Sequence, residues 1–223
     1  MAKYTLDKKT LRKDAIRDQM LNLVDWAIRR RRWVIGGSVT LVVCVALVFA
    51  YFAYAQYQTG QQAAKFYLAE KAMNDRKLPE DKRNAAATAA LTDYLETYPD
   101  STLSPFAWMY LAQIYWSGKN FDEAGIAFQQ VLGHKQTGEF TRHLAVIGEA
   151  KLHESQGRFD ASAESYRSLP EDKYSDLKAF NLGRLAVAQH RNREAKSQFQ
   201  KVVSRYPPSR LAKWASDAMS VLP

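Results

Sequence analysis

The side chains with catalytic potential are few: His134, His143, His153, His190 and the single cysteine, Cys44. A metal site needs His or Cys at ligand spacing, typically two to five residues apart within a pair. These histidines stand 9, 10 and 37 residues apart in chain order, and Cys44 lies inside an apolar run far from all of them. Glu149 and His153 are four apart, so a helix would put them on one face. Acid–base chemistry could use that pair, and so could an ordinary surface contact, which is the reading taken here. There is no phosphate-gripping glycine loop, no G-x-S-x-G and no H-E-x-x-H. The sequence predicts no enzyme, no metal, no cofactor and no small-molecule substrate.

The elements that would position any site follow from charge and hydropathy. The chain has 223 residues, 47% of them hydrophobic and 25% charged, with a formal net charge of +9. That length allows one domain plus something extra. Ten Phe, twelve Tyr and five Trp are ample core material, which excludes disorder along the whole length. One cysteine excludes a disulfide scaffold. A pI near 9.5 invites a nucleic-acid partner, so the position of the charge matters.

Residues 1–32 hold ten Lys or Arg and four Asp, a net +6. The remaining 22 basic and 19 acidic residues leave only +3. Directly after Arg29, Arg30, Arg31 and Arg32 comes an uncharged run of 22 residues, Trp33 to Tyr54. As a helix it would span about 33 Å at ~1.5 Å per residue, enough for a hydrocarbon core of about 30 Å. Trp33 stands at one end, and Tyr51, Phe52, Tyr54 and Tyr57 at the other, as interfacial aromatics do. The arginines mark the cytoplasmic end, which sends residues 55–223 across the membrane. The charge is therefore a topology signal and predicts no nucleic-acid partner.

A cleaved signal peptide is the rival reading, with Ala53-Tyr54-Ala55 as a cleavage sequence. The long basic segment and long apolar run favour a retained anchor. Val43 before Cys44 does not suit a lipoprotein signal, which leaves Cys44 as an apolar filler in the span. Residues 10–28 space Leu11, Ile16, Met20, Leu23, Val24, Ala27 and Ile28 as an amphipathic helix. That helix would lie on anionic lipid with Trp26 at the headgroups, or would meet a cytoplasmic partner.

Beyond the span the pattern is helical, with no alternating β-branched runs. Breaks are expected at 76–82, 100–105, 117–120, 133–138, 156–158, 169–172, 190–192 and 207–208. They recur with related sequences. Gly118-Lys-Asn-Phe-Asp-Glu-Ala, Gly157-Arg-Phe-Asp-Ala-Ser and His190-Arg-Asn-Arg-Glu-Ala fill equivalent places. Spacings of 30–40 residues indicate stacked helical hairpins.

Trp108, Leu111, Ala112 and Tyr115, followed by Ala124, Phe128 and Val131, resemble a tetratricopeptide repeat. Leu182, Gly183, Ala195, Phe199, Val202 and Pro207 match the same motif. A weaker copy runs through Ala150, Tyr166 and Leu169, with Glu149 where a leucine is expected. A degenerate first copy would end with Ala87, Leu91, Tyr94 and Pro99, its first helix displaced by the loop. Ser209–Val221 should cap the array. The expected fold is all-α. A single transmembrane helix precedes an α-solenoid of three to four hairpins. The segments are a basic cytoplasmic stretch (1–32), the span (33–54), a linker helix and loop (55–84) and the repeats (85–223). Leu111, Ala112, Tyr115, Ala124 and Phe128 should be core.

In that fold the first helix of each hairpin lines a concave groove. The resemblance implies groove positions at Phe106, Met109, Gln113 and Trp116, at Leu144, Ile147 and Lys151, and at Leu177, Phe180 and Arg184. They would hold an apolar or amphipathic peptide, or would pack on neighbouring hairpins and on helix 56–74. The whole plan resembles the ancillary subunit of the bacterial SecYEG translocon (the YfgM type). This implies an inner-membrane adaptor with a periplasmic repeat domain. Its partners would be a translocon, a periplasmic chaperone, other membrane-complex subunits and membrane lipids. The alternative is a structural scaffold subunit of a larger membrane complex.

Overall fold

A computed structural model describes residues 20–24 and 26–223. The amphipathic helix expected over 10–28 falls largely outside the described residues. Residues 20–24 and 26–29 are helical, and the Arg30 guanidinium lies 6.0 Å from the centre of the Trp26 ring. Among the described residues every regular element is a helix.

The chain divides into two compact units, Met1–Thr59 and Gly60–Pro223. In the first unit, helix α1 begins at Arg31 and continues to Met73. Its apolar stretch leaves Val42, Leu47, Phe49 and Phe52 exposed, with none of the most apolar window buried. By length and composition α1 can cross a membrane. Arg29, Arg30, Arg31 and Arg32 are exposed at the start of the run, as are Trp33 and Tyr54 at its two ends.

The second unit opens with the last turns of α1, which bury Phe66 and Ala69. Then follow α2 (Glu80–Thr97), α3 (Ser104–Ser117), α4 (Phe121–Gly133) and α5 (Glu139–Ser155). After them come α6 (Phe159–Ser168), α7 (Glu171–Ala188), α8 (Asn192–Arg205) and α9 (Arg210–Ser220). Helices α3–α4, α5–α6 and α7–α8 pair as hairpins, and α9 packs on both α7 and α8.

Local sequence explains where the helices start and stop. Pro79 and Pro170 precede α2 and α7, and each is followed by two acids that suit the positive helix end (Glu80 and Asp81; Glu171 and Asp172). Pro105 sits in the first turn of α3, where a missing N–H costs nothing. The Ser209 hydroxyl caps α9 by accepting from the Leu211 N–H.

The three hairpins share one turn. Lys119, Gly157 and His190 each take a left-handed backbone, with φ of 62°, 72° and 58°. The next residue's N–H then reaches back five residues. Asn120 bonds the Tyr115 carbonyl, Arg158 that of His153, and Arg191 that of Ala186, all at 2.8 Å. Those bonds satisfy helix-end carbonyls that would otherwise be unpaired. The repeated short sequences are thus repeated turn geometry.

Small residues bring the helices together. A β-carbon on Gly183 would stand 2.6 Å from the Phe199 ring, and one on Gly148 would collide with Phe128. Leu111, Ala112, Ala124 and Phe128 are buried. Tyr115, expected in the core, is only half-buried and packs on the edge of that cluster. Its position near the open end of α3 leaves the ring's outer side uncovered.

Across the loop at 74–79, the end of α1 packs side chains against the helix of the degenerate first copy. Phe66 of α1 meets Tyr94 of α2 edge-on at 5.4 Å and Tyr110 of α3 at 6.1 Å. The Tyr94 hydroxyl donates to Ser101 Oγ at 2.8 Å, and Ser101 Oγ donates to Gln62 Oε1 at 2.9 Å. The end of α1 is therefore bolted to the repeat core across the loop at 74–79.

Candidate functional site

The residues expected to line a groove lie on α3, α5 and α7, the first helices of the hairpins. On α3, Phe106 is 45% exposed, while Met109 and Trp116 are half-buried against the cluster holding Leu111 and Phe128. Gln113 is exposed and lines a hollow of about 250 Å³ with Arg83, Tyr110 and Ile114. On α5, Leu144 is 38% exposed and Lys151 is exposed. Ile147 packs against the cluster of Ala150, Tyr166 and Leu185, as does Leu177 of α7. Phe180 lies between Phe199, at 5.8 Å, and Trp214, at 6.2 Å.

Arg184 of α7 is engaged by α5. Its Nη2 donates to Glu154 Oε1 of α5 at 2.5 Å, and its Nη1 to the same oxygen at 3.3 Å. The other end of the same helix pair is tied by Lys173 Nζ to Glu139 Oε1 at 2.6 Å. Lys173 holds the Glu139 carboxyl below the usual carboxylate range by its hydrogen bond and charge. Between the two ties, the rings of His143 and Tyr174 meet edge-on at 5.1 Å. The α5–α7 side is thus closed by ion pairs and packing.

The α3–α5 side is different. Sequence reasoning missed Phe140, which is 67% exposed at the start of α5, one turn before Leu144. Its i, i+4 spacing to Leu144 was the available signal. Helices α3 and α5 touch, so Phe106, Phe140 and Leu144 lie on neighbouring helices with their apolar side chains uncovered.

No chemistry gathers at these positions. Among the described residues no three His, Cys, Asp or Glu side chains cluster as a metal site. His153 is held below its usual pKa, first by burial and then by Arg158. Burial pushes the Tyr166 phenol up to about 12. The hydroxyls of Tyr166 and Ser162 are buried without a protein partner. Both residues are on α6 and fully buried.

This stacking of hairpins on small residues has a counterpart among known proteins. A family model described as "Tetratricopeptide repeat-like domain" matches residues 30–218. The chain belongs to that family. A solved tetratricopeptide repeat protein from Parabacteroides merdae resembles it with a TM-score of 0.56 at 16% identity. The match covers 70% of this chain and 59% of that one, so this chain answers to little more than half of its neighbour's length. At that identity the likeness concerns the repeat fold alone. No curated protein matches the chain. Repeat proteins of this class present extended surfaces to other proteins.

Proposed function

We propose that this protein is a membrane-anchored, non-catalytic adaptor, with α1 as the anchor and the α3–α5 face as its binding surface. The observation that carries the reading is the exposure of Phe106, Phe140 and Leu144 on adjacent first helices, beside a neighbouring helix pair already closed. Exposed aromatic side chains on a rigid scaffold suit an apolar or amphipathic segment of another polypeptide. Anchoring raises the effective concentration of partners at the membrane, so a weak groove suffices.

The setting follows from the sequence. The Arg29–Arg32 run next to the apolar stretch supports a cytoplasmic amino terminus and repeats on the far side of a bacterial inner membrane. The layout supports work beside a translocon or with a periplasmic chaperone during secretion or envelope assembly. Crosslinking before mild-detergent capture tests this. Phe106→Ala with Phe140→Ala should lose transient client proteins while leaving thermal melting nearly unchanged, since surface changes usually cost less than about 0.5 kcal/mol. Equal capture by the double variant would refute the groove assignment.

A further inference from the structure

The last two helices carry a concentration of charge that the groove does not use. From Arg191 to Lys213 there are seven basic residues and one acid, Glu194, a net +6 in 23 residues. The remainder of the chain beyond residue 32 totals −3.

Two of the seven are paired locally. Arg191 pairs with Glu194 at 2.9 Å, and Lys201 reaches Glu171 at 3.4 Å. Arg205 lines a cleft of about 740 Å³ together with Glu171, Asp172 and Asp176. The other four, Arg193, Lys196, Arg210 and Lys213, are exposed. Among the described residues none of these four has a carboxylate within ion-pair distance. Residues 193 and 196 are three apart on α8, and 210 and 213 three apart on α9, so each pair shares a helix face. Asp217 is the acid that follows on the α9 face. Next to Lys213, Trp214 is 57% exposed, its ring held at the surface by Phe180.

Long exposed cationic side chains beside a half-exposed indole match an anionic bilayer surface. Headgroup phosphates accept point charges without demanding a shaped cavity, and indole settles at the headgroup level. We propose that the α8–α9 surface docks on anionic lipid headgroups of the bilayer that holds α1. This rests on the reading of α1 as an anchor.

The test uses the full chain with Cys44→Ala and an environment-sensitive dye on Gln200→Cys, an exposed position on the Arg193 and Lys196 face. The chain is reconstituted in phosphatidylcholine bilayers with and without phosphatidylglycerol. The expected result is severalfold protection of the dye from an aqueous quencher only when phosphatidylglycerol is present. High salt should abolish the protection, as should the combined variant Arg193→Gln, Lys196→Gln, Arg210→Gln, Lys213→Gln. The charge-keeping double variant Arg193→Lys, Arg210→Lys should retain it. Should the fourfold variant misfold, the salt and lipid arms still decide. Equal quenching in both bilayers overturns the proposal, as does protection that resists salt. Protection seen only in native membranes, with crosslinks to an acidic protein, also overturns it. Alkaline carbonate extraction separates the two claims. A chain retained by the bilayer but unprotected keeps the anchor and loses the docking surface. A chain extracted by carbonate yet protected loses the anchor and keeps the docking.

Discussion

The Phe199 ring occupies the space that a β-carbon on Gly183 would need, at a separation of 2.6 Å. Both residues are buried at the contact between α7 and α8. Alanine is favoured over glycine in a helix interior by roughly 0.5–1 kcal/mol, but overpacking a core costs about 1–3 kcal/mol. Packing therefore wins. Gly183→Ala should lower the melting temperature, and Phe199→Leu in the same chain should recover part of the loss. Gly60→Ala, where nothing lies within 4 Å, should be neutral or slightly stabilising. Thermal melting by circular dichroism checks all three.

Tyr166 is fully buried, and its hydroxyl has no protein partner. Removing an unsatisfied buried hydroxyl loses no hydrogen bond, so Tyr166→Phe should leave stability at neutral pH unchanged or raise it by up to ~1 kcal/mol. The alkaline limb should also change. The folded phenol titrates near 12, above its ordinary value of 10, because burial disfavours the phenolate. The unfolded chain releases this proton first. The stability tied to the neutral phenol is thus fully present below about 10 and is lost as pH rises towards 12. Denaturation curves against pH should show a shallower alkaline fall in Tyr166→Phe than in the parent.

Arg184 and Glu154 join the first helices of two successive hairpins. Their side chains are 37% and 26% exposed, so solvent screens the pair and the coupling should be modest, about 0.5–1 kcal/mol. A double-mutant cycle with Arg184→Ala and Glu154→Ala measures it. Zero coupling would leave the closure of the α5–α7 side to apolar packing alone.

Much of the repeat fold is written locally. The hairpin turns follow from Gly118-Lys119-Asn120, Gly157-Arg158 and His190-Arg191, because a left-handed residue and one backward hydrogen bond need only neighbours in sequence. The small positions Ala112 and Gly183 and the large ones Phe128 and Phe199 were legible from the repeat motif. What sequence did not show depends on the partner helix. Phe180 was open to two readings, lining a groove or packing on a neighbouring hairpin, and its ring lies between those of Phe199 and Trp214, since periodicity gives a face but not what covers it. Arg184 read as a groove cation, but Glu154, thirty residues earlier, lies within hydrogen-bond reach. The contact of Gly148 with Phe128 was hidden because the repeat motif directs attention to Ala150. Tyr115 was assigned to the core by motif alone, and the end of its helix leaves it half-open.

The central claim is that the α3–α5 face binds other polypeptides at the membrane. Its most direct test is a photo-reactive residue at Phe140 of the full chain in native membranes, with Gln129 on α4 as the control position. The account predicts crosslinks to other polypeptides from position 140, mapping to their apolar segments, and few from position 129. Crosslinks from 140 confined to lipid or to the protein's own helices, or equal yields from both positions, would contradict it.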